Sequence, residues 1–533
     1  MTTIKAVLLV LCQLYCLVTA VDTTVDLVCN KYAGVATPNG ITQWLGIRYA
    51  AAPVGNLRFM PPQDPPCTNG TQVADQHGKI CLATDNSPPS SGNAEDCLFL
   101  DVYAPSDATS KSKLPVFFFI HGGGFSSNSN PNFNGSGLIE ASGHSIVVVA
   151  FNYRVGPYGF ITNGDLIKAN NGLRDQRKAL QWVNQHIAKF GGDPDRVVLG
   201  GDSAGAASIS LQMVAYGGKD SGLFHGGAAE SVSFATVLTI EESQYQYDNF
   251  SSRLGCGGYN SLACLRNKTI EELQTANTRW PYPGQSSSPV YMWNPVLDYD
   301  FLTDYTYNSF AKGEFVKIPV IYGDDTNGGT VFTPRDTSTL AQSENFLRAQ
   351  FPYLTRTQLD KIDAMYPNPN TTCPSTGCYW RQVSNAYGDM RYMCPGLYIS
   401  SAMTQYGVGS SYSYRYNVED PQQMAEGLGV PHAVELSAIW GPQNSGGAPQ
   451  SYLNNGTNAA VIPVIQAYWT SFIRSLDPNT YRYPGSAVWE KWDSNKQNRL
   501  LFETGGKTLM EKVDTNTSSH CEYFSSIGVD IRQ

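Results

Sequence analysis

The sequence predicts an α/β fold with a large, mostly parallel central sheet and helices on both faces. Three observations carry that expectation. Apolar runs of strand length at 114–120, 145–153, 196–200, 224–230, 316–322 and 411–418 are interleaved with helical and irregular stretches, the order that produces parallel sheets. The run at 114–120, Leu-Pro-Val-Phe-Phe-Phe-Ile, is nearly all apolar, which suits a strand covered on both faces. Finally, Gly201-Asp202-Ser203-Ala204-Gly205 stands where an apolar run meets a segment, 206–216, that reads as helix. A Gly-x-Ser-x-Gly turn between strand and helix holds the serine hydroxyl proud of the sheet.

From its first residue the chain reads as a secreted protein. Residues 1–20 form a signal peptide, with Lys5 as the positive region, 6–18 as the apolar stretch and Val18-Thr19-Ala20 as the cleavage site. No later stretch approaches membrane length. Residues 40–49 read as a strand entering a loop rich in Pro and Gly, 81–97 as a polar loop without helical period, and 97–103 as another strand. Between 171 and 190, Leu173, Leu180, Val183, Ile187 and Phe190 recur at helical spacing, and Gly191-Gly192-Asp193-Pro194 ends that helix. The strand into Ser203 follows at once. A last helix at 461–476 stops at Asp477-Pro478. With no repeat, low-complexity tract or clear linker, residues 21–533 are expected to form one domain.

Composition narrows the function. Hydrophobic residues make up 41% of the 533 and charged residues only 15%, ample for a large core. The 36 basic and 45 acidic side chains leave a net charge of −9 with no basic run, which argues against nucleic acid or an anionic membrane as partner. Cys12 and Cys16 leave with the signal, so ten of twelve cysteines remain: Cys29, Cys67, Cys81, Cys97, Cys256, Cys264, Cys373, Cys378, Cys394 and Cys521. An even, dispersed set suits an oxidising compartment. Without a Cys-x-x-Cys pair no metal site is expected, and no cofactor is expected either. Sequons at Asn69, Asn134, Asn249, Asn267, Asn370, Asn455 and Asn516 fit a glycosylated surface.

Ahead of Ser203, the strand at 114–120 runs into His121-Gly122-Gly123-Gly124-Phe125. A glycine triplet at the C-terminal end of a strand lets several backbone N–H groups face one point, as an oxyanion hole requires. Further motifs follow the same order along the chain: Glu95-Asp96-Cys97-Leu98-Phe99-Leu100-Asp101-Val102, Asn152-Tyr153-Arg154-Val155-Gly156, Asp175-Gln176-Arg177 and Phe190-Gly191-Gly192-Asp193-Pro194. Together with the serine turn, this set resembles the cholinesterase-like, type-B carboxylesterases and lipases of the α/β-hydrolase fold, especially the secreted fungal ones. The resemblance covers nearly all of the mature chain.

The resemblance implies a serine carboxylic-ester hydrolase working through an acyl-Ser203 intermediate on a small-molecule ester. Gly123, Gly124 and Ala204 would donate to the oxyanion. A serine hydroxyl needs a base to take its proton. Of the seven histidines, His432 in Gly429-Val430-Pro431-His432-Ala433-Val434-Glu435-Leu436 lies where the chain order Ser…acid…His puts that base, and the stretch resembles the family's histidine loop. The resemblance also implies disulfides Cys81–Cys97 and Cys256–Cys264, with Cys29–Cys67 the next choice. Pairing among Cys373, Cys378, Cys394 and Cys521 stays open. Arg58 with Glu95, and Arg154 with Asp175, look like structural ion pairs of the family.

The acid of the triad breaks the pattern. In Gly323-Asp324-Asp325-Thr326-Asn327-Gly328-Gly329-Thr330-Val331-Phe332 the family's acid position is occupied by Gly328. Losing such an acid costs about 10⁴-fold in rate. One reading gives the role to Asp325, or to Asp324 in the same loop or Glu435 in the histidine loop. A second keeps Ser203 and His432 for acyl transfer or proton transfer on a bound apolar molecule. A third is a catalytically dead binding module, against which the intact serine, histidine and glycine triplet argue.

The Cys81–Cys97 loop matches the region that forms a lid in lipases of the family. Here it is short, polar and without a hydrophobic face, which disfavours interfacial lipase action. It also lacks the Trp on which choline esterases of the family stack a quaternary ammonium. A medium-sized apolar or aromatic ester is the expected substrate.

Overall fold

A computed structural model of the chain describes residues 22–85, 88–368, 373, 375–453 and 455–533. The signal segment and the Asn370 sequon lie outside the described residues.

The molecule is organised around an eleven-stranded sheet. Its strands are β1 (Val35–Ala36), β2 (Ile41–Arg48), β3 (Phe99–Pro105), β4 (Leu114–Ile120), β5 (Val147–Phe151), β6 (Gly192–Asp202), β7 (Gly226–Glu230), β8 (Val320–Asp325), β9 (Ser411–Asn417), β10 (Asn498–Glu503) and β11 (Lys507–Lys512). Across the sheet the order is β11-β10-β9-β8-β7-β6-β4-β5-β3-β2-β1. The run from β10 to β5 is parallel throughout. The flanks at β11 and at β3, β2 and β1 are antiparallel. The parallel core is the part legible in the apolar runs. The β10–β11 hairpin is not among the expected strands: the buried apolar run of β10, Leu500-Leu501-Phe502, is only three residues long, and β11 is half-exposed; its one turn signal is Gly505-Gly506.

Side-chain alternation along β4 explains why the sheet has two cores. Val116, Phe118 and Ile120 point into one cluster, with Val149, Leu199 and Val320. Phe117 and Phe119 point into the other, with Val148, Val198, Ile321 and Trp440. A period of two with both faces buried is what a central parallel strand demands. Helix α1 (Asn171–His186) and helix α2 (Ala204–Gly218) pack on the first face through residues such as Leu173, Leu180, Val183, Ile209 and Met213. A third cluster is formed by α3 (Trp380–Gly388), α4 (Cys394–Gln405) and α6 (Thr515–Ile527). Between α6 and α4 in sequence, α5 (Val461–Ser475) covers the second face of the sheet with Ile465, Trp469 and Phe472.

Several boundaries differ from expectation, two of them beside the site. Strand β8 begins at Val320 rather than at 316, because Pro319 has no N–H to give to the ladder. It also runs on to Asp325, so Asp324 and Asp325 stand on the strand's end. Helix α2 begins at Ala204, directly after the serine, and its helical geometry breaks at Ala215–Gly217, where Ala215 turns extended and the next two residues are left-handed.

Five disulfides tie the chain: Cys29–Cys67, Cys81–Cys97, Cys256–Cys264, Cys373–Cys378 and Cys394–Cys521. The last two close the pairing that the sequence left open. Arg154 is paired with Asp175 at 2.7 Å deep in the core, and Arg58 with Glu95.

Candidate active site

The serine turn is forced by close packing. A methyl group at Gly201 would sit 2.8 Å from the Ile120 carbonyl oxygen and 2.7 Å from Gly205, so helix α2 could not start so near strand β4. Ser203 is thereby driven to φ 54°, ψ −118°, outside the regions most side chains adopt. Such strain costs about 1–3 kcal/mol and persists only where the surroundings over-determine it. Here the Ser203 N–H donates to the Glu230 carbonyl at 3.0 Å, and Ala207 N–H returns to the Ser203 carbonyl at 2.9 Å. Ser203 is 7% exposed.

The glycine loop is docked on this turn. Gly122 N–H donates to Asp202 Oδ1 at 2.9 Å and to Asn130 Oδ1 at 3.0 Å. Gly123 and Gly124 take φ of 105° and 59°, conformations open to glycine at little cost. Their N–H groups donate to no acceptor among the described residues. Ala204, as the first residue of α2, likewise has no intrahelical acceptor for its N–H. Asp202 itself is buried, and burial together with the nearby Glu435 charge pushes its carboxyl up to about 8.

His432 arrives from the loop after β9. Both ring nitrogens are shut off from solvent and neither has a hydrogen-bond partner. The ring is instead held between aromatic side chains, 4.3 Å from the ring centre of Tyr392 and 5.2 Å from that of Phe332. Burial, and the positive charge of Arg391, lower its basicity to a value of about 3. Phe332 also contacts Tyr291 at 6.1 Å, and Tyr291 lies against Gly124. Aromatic rings thus run without a break from the histidine to the glycine loop.

The carboxyl groups do not reach the imidazole. Asp325, the foremost substitute acid from sequence, turns Oδ2 to the backbone N–H of Ala433 at 2.6 Å and to Ser231 Oγ at 2.7 Å. Glu435 Oε1 also meets Ser231 Oγ at 2.7 Å and accepts from the Tyr414 hydroxyl at 3.0 Å. One hydroxyl proton cannot serve two carboxylates, so one of this pair is protonated. In keeping with that, burial and the Glu435 charge push the Asp325 carboxyl well up. Asp324 faces α4, with its Oδ2 beside Gly396. The acid pair therefore pins the backbone of the histidine loop and leaves the ring unoriented by any carboxylate. The reason is geometric: β8 places Asp325 three residues before the vacant position, on the strand rather than in the loop. At Gly328 there is space, since an added Cβ would lie 3.5 Å from Tyr392 in ordinary contact.

Several of these residues carried no sequence signal. Ser231, Tyr291, Arg391 and Tyr392 belong to no motif, and only folding brings them to the site. The Cys81–Cys97 loop is pinned at one end by Thr84 N–H to the Ser126 carbonyl and Asp85 N–H to the Asn277 carbonyl, each at 2.9 Å. Among the described residues no helix is long and apolar enough to cross a membrane, and no cluster of potential ligands could hold a metal ion.

Known proteins with this arrangement agree on its family. The model of the carboxylesterase family matches residues 20–523. Secreted lipase 4 of Gibberella zeae is 30% identical, over 89% of this chain and 86% of its own. Lipase 1 of Geotrichum candidum is 33% identical, over 91% and 90% respectively. The crystal structure of Aspergillus niger EstA superposes with a TM-score of 0.92 at 42% identity, covering 96% of this chain and 99% of that one. The chain belongs to the carboxylesterase family of α/β-hydrolases.

Proposed function

We propose that this protein is a secreted serine esterase that cleaves a medium-sized ester with apolar or aromatic parts through an acyl-Ser203 intermediate. The observation that carries the reading is the strained Ser203 at the start of α2, together with the N–H groups of Gly123, Gly124 and Ala204, which have no acceptor among the described residues. Ser203 Oγ attacks the ester carbonyl while its proton passes to a ring nitrogen of His432. The oxyanion so formed takes hydrogen bonds from the three N–H groups, a form of stabilisation in which one donor alone is worth about 10²–10³-fold. The C–O bond then breaks, and the imidazolium returns the proton to the departing alkoxide. Water repeats the sequence on the acyl-serine and frees the acid.

Secretion is supported by the signal segment and by the printed name of the Gibberella relative. The exposed sequons Asn69, Asn249, Asn267, Asn455 and Asn516, with Asn134 half-buried, are proposed to carry glycans.

Turnover of 4-nitrophenyl acetate and butyrate, alongside mass-spectrometric detection of an organophosphorus adduct, tests the reading. With no carboxylate on His432, Ser203→Ala should lower turnover by about 10²-fold, to the background rate, and abolish the adduct. Turnover that survives Ser203→Ala, or an adduct on another residue, would sink it.

A further inference from the structure

Arg391 is the least explained charge near the site. Arg58, Arg154 and Arg499 are comparably buried, and each holds a carboxylate. Arg391 is 2% exposed; its Nε donates to Ser233 Oγ at 3.0 Å, and the Tyr387 hydroxyl stands within loose reach of the guanidinium. Around the guanidinium stand rings rather than acids: Tyr291 at 5.5 Å, Tyr387 at 5.9 Å and Tyr392 at 6.0 Å from its carbon to the ring centres. The buried hydroxyls of Tyr387 and Tyr392 make no well-formed hydrogen bond and have only each other and the guanidinium within loose reach. A buried cation without a carboxylate partner, next to hydroxyls that are themselves poorly bonded, is expensive unless an anion completes it.

Its position is built, not incidental. Arg391 lies on a single π-helical turn, Asp389–Met393, between α3 and α4, a distortion frequent at functional sites. Its carbonyl accepts from Phe234 N–H at 2.8 Å. Ser233 and Phe234 follow Glu230, whose carbonyl holds the Ser203 N–H. Two of the three rings facing the guanidinium also border the reacting groups, Tyr392 at His432 and Tyr291 at Gly124.

We propose that Arg391 anchors an ionised carboxylate carried by the substrate, so that this site prefers esters bearing a second, free acid group. Guanidinium meets carboxylate through paired, charge-assisted hydrogen bonds, while the tyrosines supply further donors and aromatic walls for the remainder of the ester. This proposal rests on the esterase reading above but names its substrate class.

Two matched pairs of esters locate the acid group. Mono-4-nitrophenyl glutarate against 4-nitrophenyl butyrate places it on the acyl side. 4-Acetoxybenzoate against its methyl ester places it on the alcohol side. In at least one pair the charged ester should have the higher kcat/KM, by about ten- to a hundredfold. That preference should collapse in Arg391→Met and return in part in Arg391→Lys. Preference for the neutral ester in both pairs would overturn the proposal. So would an equal loss on charged and neutral esters in Arg391→Met, the mark of a purely structural arginine. Should no ester be turned over, the esterase reading fails by itself, and calorimetric titration with glutarate and with 4-hydroxybenzoate reads the anchor directly. Binding lost in Arg391→Met upholds it; no binding of either to the unaltered protein overturns it.

Discussion

The two halves of the site are built in opposite ways. The nucleophile half rests on sheet and helix: Ser203 is wedged between β6 and α2, and the glycine loop is bonded to Asp202 and Asn130. The turn at Gly201 is set by backbone contacts that leave no room for a side chain, and the glycine loop is fixed to it through the Gly122 N–H. The base half hangs on loops after β8 and β9. Its histidine is held by ring contacts alone, and its two nearest carboxyls are spent on Ser231, Tyr414 and a backbone N–H. A backbone-defined half cannot drift far without losing the fold, whereas a side-chain-defined half can lose a member, as we propose for Gly328, and still fold.

Restoring the missing member is the strongest way to break that contrast. Gly328→Glu should raise kcat on neutral esters by up to about 10⁴-fold, the worth of an acid that orients the histidine and stabilises the imidazolium. The pH profile supplies an independent reading. With His432 held near 3, the base form persists in mild acid, so activity of the unaltered protein should stay level down to about pH 4. A carboxylate at 328 favours the charged ring and should move the acid limb upward. An unchanged rate and limb would mean that the base half is complete as it stands.

The nucleophile half is probed at Gly124. Gly124→Ala places a methyl group against the Tyr291 ring on a left-handed backbone, and should cost about 10²–10³-fold in kcat with little change in KM. A loss confined to KM would remove Gly124 from the oxyanion site. The smallest effect is expected at Asp325. Asp325→Asn keeps an acceptor for Ala433 N–H, and because Asp325 does not touch the imidazole, kcat should fall less than about tenfold, far short of the loss for a triad acid. A fall near that larger figure would place Asp325 in the triad after all.

Much of this was readable before folding. The parallel core follows from apolar runs whose length and continuity leave no other way to bury both faces of a strand. Ser203 and the glycine triplet are readable because glycine is demanded wherever backbones approach closely. His432 is readable by chain order and by the loop around it. The ends of elements were less legible, as at β8, where Pro319 delays the ladder. The hairpin at the sheet's edge escaped because the apolar run of its inner strand is only three residues long and its outer strand is half-exposed.

What the sequence by itself determined, then, is the scaffold and the strand–turn–helix that presents Ser203, whose requirements are local and written in glycine, proline and hydrophobic pattern. Only the tertiary structure decided what surrounds the histidine. Whether Asp325 faces a ring or a backbone N–H depends on where β8 ends relative to a loop a hundred residues away. Whether Arg391 meets an acid or three tyrosines depends on a turn between two helices packed beside the loop after β7. Such partnerships are made between segments remote in the chain, so no local pattern records them.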